Sequence, residues 1–183
     1  PDLAVQLHQH GAVAGRLNPT DVVDAVRRAA PRQTLVTTDV GSHKLLVGQG
    51  WRVYEPRGLL MTNGLSSMGF GVPAAIAAKL ADPGRPVVAM VGDGGFAMTM
   101  SELETSVREG ARPVVIVLDN QGYGTIRMHQ DRAGRARVGT DLGPIDFAAV
   151  AGACGALGYR VANDDEFEPA LRERVALLKG LPI

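Results

Sequence analysis

The residues best equipped for chemistry in this chain stand in VVAMVGDGGFAMTMSELE, 87–104. Asp93 lies there between Gly92 and the pair Gly94 and Gly95, where a continuous apolar run gives way to mixed residues. A solvated loop accepts Asp without three flanking glycines, so their crowding suggests that something comes close to the backbone. One helix further on, a second apolar run ends in LDN and brings Asn120 to a comparable place. An Asp carboxylate and an Asn amide oxygen are hard donors of the kind Mg2+ takes when it also holds phosphate oxygens and water. The glycines would let backbone N–H groups approach a phosphate, and a helix start at 99–109 would add roughly 0.3–1 kcal/mol for an anion. Taken alone, the GDG tripeptide fits a tight strand-to-helix turn equally well.

These residues need elements to hold them, and the sequence alternates between helix and strand. NPTDVVDAVRRAAP (18–31) reads as a helix with Asn18 as N-cap and Pro19 in the first turn, and TLVTTDVG (34–41) as a buried strand. GLLMT offers a second strand, and GFGVPAAIAAKLA (69–81) a helix whose small residues allow close packing. RPVVAMVG and RPVVIVLDN are too continuously apolar to be half exposed. Between them lies the helix 99–109, with Thr99 and Glu102 at capping-box spacing. HQDRAGRARVGTDLG (129–143) reads as a long mobile loop, IDFAAVAGAC as a helix opened by Asp146, and GYRVA as a short strand. EFEPALRERVALLKG (166–180) reads as a helix closed by Gly180. Fully apolar strands separated by helices predict a doubly wound α/β domain: a mainly parallel sheet of about six strands, covered on both faces. Ligands in such folds sit outside the carboxyl ends of the strands, which places Asp93 and Asn120 on one edge.

Composition bounds the function. The 183 residues are 45% hydrophobic, enough for one domain with a full core, and no linker or repeat divides 1–183. Nineteen basic and nineteen acidic residues cancel, which argues against a generic binder of nucleic acid or of an anionic membrane. The single cysteine, Cys154, leaves no disulfide framework or Cys-rich zinc site; it reads as a small core residue and points to a reducing, cytoplasmic setting. No apolar run reaches membrane-spanning length, and the opening PDLAVQLHQHG lacks both the pattern of a signal peptide and an initiator Met. A fragment or processed chain is the expectation.

Four blocks in order, TTDVGSHKLL, GLSSMGFGVPAAIAAKL, VGDGGFAMTMSELETSVREG and LDNQGYGTIR, resemble the carboxyl-terminal, diphosphate-binding domain of thiamine diphosphate (ThDP) enzymes of the acetolactate synthase group. The resemblance covers nearly the whole chain. It implies Mg2+ held by the Asp93 and Asn120 side chains and by the main-chain carbonyl of Gly122. It also implies diphosphate contacts from Gly94 and Gly95 and from the loop Val40, Gly41, Ser42 and His43, and further cofactor contacts from Gly92 and from Tyr123, Gly124 and Thr125 beyond the metal loop. Ser42 departs from the Gln usual there. His43 reads by itself as a solvated or capping residue, and the matching block favours ligand contact. Met68 corresponds to the bulky apolar residue that wedges beneath the cofactor and bends its rings together, with backbone around Ser66 and Met68 bonding the aminopyrimidine; as an isolated Met it would be a core gap-filler. Arg127 and His129 follow the metal loop, within reach of a carboxylate substrate, and read most simply as solvated surface residues.

The resemblance also implies a missing part. In this family a glutamate of a pyrimidine-binding domain, in the same or another subunit, activates the aminopyrimidine, and no block here resembles that domain. The expectation is a carboxyl-terminal fragment of a longer three-domain enzyme, or a separately encoded subunit, with no catalytic residue of its own and no turnover alone. Complete, it would act on a 2-oxo acid by decarboxylation, with or without carboligation, as a homo-oligomer (dimer or tetramer). The competing expectation is a non-catalytic nucleotide-binding module, against which stands the absence of a GxGxxG fingerprint after the first strand.

Overall fold

A computed structural model describes residues 17–163, 166, 167, 169–171 and 173. Helix α1 (Pro19–Ala29) starts as its sequence dictates: the Asn18 side chain accepts from the Thr20 N–H at 3.0 Å, with Pro19 in the first turn. Strand β1 (Leu35–Thr38) leads to helix α2 (Ser42–Gly50) and strand β2 (Leu59–Met61). Helix α3 (Gly71–Ala81), strand β3 (Val87–Gly92), helices α4 (Asp93–Thr99) and α5 (Glu102–Arg108), and strand β4 (Val114–Leu118) follow. Helices α6 (Gly124–Arg132) and α7 (Phe147–Ala153) complete the named elements, α7 capped by the Asp146 side chain on Ala149 N–H.

All pairings are parallel and the strand order is β2-β1-β3-β4, the doubly wound α/β arrangement. Strand alternation sorts the core into two layers. Val36, Val88 and Met90 join Val22, Val23 and Val26 of α1 and Val47 of α2. Leu35, Val87, Ala89 and Val91 join Val72, Ala75 and Ile76 of α3, with Phe96 and Leu103. β3 is therefore buried on both faces, which explains its unbroken apolar run. α3 packs as closely as its small residues allow: a Cβ at Gly71 would fall 2.3 Å from Val91 Cγ1, and Thr37 Oγ1 donates to the Gly71 carbonyl at 2.7 Å.

Several expectations change. Four strands pair among the described residues rather than about six, and GYRVA (158–162) carries no regular structure. Helix α2 lies where no helix is expected. In place of one helix over 99–109 there are two, the first beginning at Asp93 itself, so Thr99 ends α4 instead of capping anything. Gly94 and Gly95 have helical, not left-handed, backbone and are small for lack of space, as shown below. The segment 129–143 is helical to Arg132, and its far end is hydrogen-bonded to the loop after β4. The helix expected over 166–180 lies largely outside the described residues.

Candidate functional site

In the order β2-β1-β3-β4 the chain leaves β1 toward one side and returns through β3 on the other, so the topological switch point lies between the carboxyl ends of β1 and β3. Asp39 follows β1 and Asp93 follows β3. Both carboxylates therefore stand at the crevice where this architecture binds ligands.

Asp39 is 0% exposed. Its Oδ1 lies 2.9 Å from His43 Nε2 and its Oδ2 accepts the Gly69 N–H at 2.9 Å. One carboxylate thus ties the first turn of α2 to the loop that carries Ser66 and Met68. Gly41, at φ +154°, turns the chain from β1 into α2 in a conformation open to glycine, and a Cβ there would meet the His43 ring at 2.6 Å. Gly92 faces the same ring at 3.0 Å, and Gly95 faces Asp39 Oδ2 at 2.5 Å. A Cβ at Gly94 would meet the Tyr123 ring at 2.5 Å and Met68 Cε at 3.4 Å. The glycines around Asp93 are therefore crowded by the chain's own side chains, and Met68 and Tyr123 come together over Gly94.

Asp93 is buried at 4% exposure, and its Oδ2 accepts the Gly122 N–H at 2.9 Å. Burial pushes its carboxyl above the ordinary carboxylate range; the Gly122 and Gly94 N–H groups pull it back, and the neighbouring Asp119 pushes it up again. Asp119 also accepts from Gln121 N–H at 3.0 Å. Asn120 is exposed beside Gly124, whose Cβ position lies 3.0 Å from Asn120 Nδ2 and 3.7 Å from Ser42 Oγ. The loops 40–43 and 120–125 thus meet, as do Gly92–Gly95 and Gly122. Among the described residues no group of three or more His, Cys, Asp or Glu gathers. The donors available are one buried carboxylate, an amide oxygen and a carbonyl, a mixture that suits Mg2+. A cation there would offset both the burial of Asp93 and its repulsion by Asp119, so the residues present fit the metal.

Arg127 is not a solvated side chain. Its Nη2 lies within 3.3 Å of the Gln121 and Thr140 carbonyls and 2.7 Å from Asp141 Oδ1. His129 is exposed. Cys154 is free and packs against the α3 side of the core. Sequence reasoning passed over Asp39 and Asp119 and read Arg127 as a surface residue. Asp39 carries the signal that singled out Asp93, a carboxylate at the end of a buried strand. Arg127 carries none, because its partners arrive from 140 and 141.

Fold and crevice define a doubly wound α/β ligand-binding domain with its site at the switch point. The family model for "Thiamine pyrophosphate enzyme, C-terminal TPP binding domain" matches residues 39–180, and the chain belongs to that family. It is 35% identical over 177 residues to an acetolactate synthase of Bacillus subtilis (strain 168), covering 94% of this chain and 31% of that protein. It is 36% identical to the acetolactate synthase large subunit of Haemophilus influenzae, covering 92% and 30%. Among solved structures, the thiamine diphosphate-dependent 4-hydroxybenzoylformate decarboxylase of Rhodococcus jostii RHA1 superposes with a TM-score of 0.83 at 26% identity, over 91% of this chain and 32% of that one. The chain is a thiamine diphosphate-binding domain of enzymes related to acetolactate synthase, and it spans about a third of the length of these relatives. No helix among the described residues is long and apolar enough to cross a membrane.

Proposed function

We propose that the chain holds the diphosphate of ThDP through Mg2+, as the diphosphate half of an enzyme that decarboxylates a 2-oxo acid and passes the product to a second carbonyl or releases it as an aldehyde. The observation that carries this reading is the meeting of Asp93, buried at the end of β3, with the Gly122 N–H of the loop after β4, in a chain of this family. Asp93, Asn120 and the Gly122 carbonyl would hold the metal. The turns at Gly41–His43, Gly92–Gly95 and Tyr123–Thr125 would border the diphosphate. Met68, which lies over Gly94, would support the cofactor between its rings, with Ser66 near it on the same loop.

When bound, ThDP supplies the electron sink that loss of CO2 from a 2-oxo acid requires. The chain's own part is position and polarity. Asp93 offers charge to the metal, the Asp39 pairing keeps His43 against Gly92, and the apolar Met68 and Tyr123 limit water over Gly94. The activating glutamate would come from a pyrimidine-binding domain of the same or another subunit. Leu45, Leu65, Met98 and Ile126 are exposed on elements leaving the carboxyl edge of the sheet, an apolar surface suited to such a domain. We place the assembly in the cytoplasm as a homo-oligomer.

Calorimetry tests the binding half. ThDP with Mg2+ should bind where NAD and ATP do not, and Asp93→Ala should abolish the Mg2+-dependent part, because the diphosphate charge then lacks its cation's anionic ligand. Equal ThDP affinity in wild type and Asp93→Ala would remove the metal role. For the catalytic half, the chain alone should not turn over pyruvate, and addition of a pyrimidine-binding domain should restore turnover. Robust turnover by the chain alone would place the activating carboxylate here, with Glu102 and Glu104 the first to examine.

A further inference from the structure

We propose that Arg127 is the positioning residue of the metal loop, holding Asn120–Gly122 in its metal-ready shape before any ligand arrives; this rests on the reading of Asn120 and Gly122 as metal ligands. Gln121, between them, has a left-handed backbone with φ +55°, a conformation that a residue with a side chain keeps only where its surroundings impose it. Its carbonyl accepts from Leu142 N–H at 3.0 Å and from Arg127 Nη2 at 3.3 Å. The same Nη2 reaches the Thr140 carbonyl at 3.3 Å, which also accepts the Tyr123 N–H at 2.9 Å. Gly122 pairs with Asp141 in an antiparallel bridge. A Cβ at Gly122 would stand 2.1 Å from Arg127 Nη2 and 2.6 Å from the Thr140 carbonyl, so the guanidinium fills the place of a side chain. The Gly122 N–H is committed to Asp93 and its carbonyl accepts the Gly124 N–H at 3.0 Å, so both polar groups of this residue have partners.

The Asp141 carboxylate is 79% exposed, so the surface ion pair is the lesser part of the clasp. Nη2, with two hydrogens for three acceptors, is shared between Asp141 at 2.7 Å and two main-chain carbonyls at 3.3 Å, and it is the carbonyl contacts that reach the loop itself. Arg127 would touch neither metal nor cofactor. It spares the loop the ordering that binding would otherwise demand.

The test compares wild type, Arg127→Met, Arg127→Lys and Asp141→Ala as full chains. Amide hydrogen exchange without ligand comes first: Arg127→Met should speed exchange at Tyr123 and Leu142 and leave the β1 and β3 amides protected. Mg2+ titration at saturating ThDP comes second: Arg127→Met should raise the half-saturating Mg2+ about five-fold, as expected for one lost hydrogen bond, while ThDP affinity at saturating Mg2+ stays within about two-fold. Arg127→Lys should recover part of the loss, and Asp141→Ala should show little of it. Unchanged exchange at Tyr123 and Leu142 in Arg127→Met overturns the proposal, as does an unchanged Mg2+ requirement. A loss spread equally over the whole chain's exchange marks a general fold defect and also overturns it. If wild type itself binds no ThDP, the metal-site reading fails by that result, and the clasp stands or falls on the exchange data.

Discussion

The two sides of the crevice are built differently. On the β1 side, Asp39 and His43 are sealed under Gly41, Gly92 and Gly95, and one carboxylate serves both an imidazole and a main-chain N–H. On the β4 side, the loop 120–125 is held by a bridge to Asp141 and by an arginine laid over a glycine, next to exposed Asn120 and Asp141. On the first side, moving either residue would leave a buried polar group without its partner. The second is rigid only while its clasp holds. One wall is thus held by buried contacts and the other by contacts at the surface.

The largest effect should come from breaking the sealed side. Asp39→Ala strands a buried imidazole and the Gly69 N–H, and should cost about 3 kcal/mol in urea unfolding. A loss below about 1 kcal/mol would show that the hub is no more rigid than the clasp. Gly95→Ala drives a methyl to 2.5 Å from Asp39 Oδ2, and should cost about 1–3 kcal/mol despite the better helix propensity of alanine. A stabilised Gly95→Ala chain would mean that α4 can slide away from Asp39.

The next effect falls between the two sides. The Asp93 carboxyl is raised by burial first and by Asp119 in part, so the ligand-free fold holds its proton more tightly than the unfolded chain does. Stability should therefore fall as pH rises from the ordinary carboxylate range through the raised folded value, and level off above it. Asp93→Asn should be more stable than wild type at neutral pH, with the difference vanishing in acid. A difference independent of pH would put its origin in packing. The smallest effect belongs to the exposed pair: Asp141→Ala should change unfolding free energy by less than about 0.5 kcal/mol, and a loss above 1 kcal/mol would give the ion pair the role assigned to the carbonyl contacts.

The unbroken apolar runs around Met90 and Ile116 made the parallel sheet legible, and Asn18 with Pro19 fixed the start of α1. The GDG block pointed to the carboxyl edge of the sheet, and Asp93 does stand there. Local signals misled at α4. Gly94 and Gly95 read as part of a tight turn, yet they lie in a helix, and they are glycine because Tyr123 and Asp39 leave no room for side chains. That information lies in residues distant in sequence, as it does for Arg127, whose carbonyl partners are set by the bridge at Asp141. Asp39 was readable in kind but not in importance, because the strand order that puts β1 beside β3 is not written in either strand.

That strand order also bears on the route by which the molecule folds. Val36 pairs with Leu59 on one side and with Val88 on the other, so β1 must wait for a strand synthesised much later before the crevice has a second wall. Pairings this far apart close slowly, since chain entropy is spent before the contact rewards it. A nascent chain that has made β1, α2 and β2 already carries Asp39 and His43, but not Gly69, Gly92 or Gly95 to enclose them. Until β3 docks, that carboxylate and imidazole stay in water, and the cofactor has nothing to recognise.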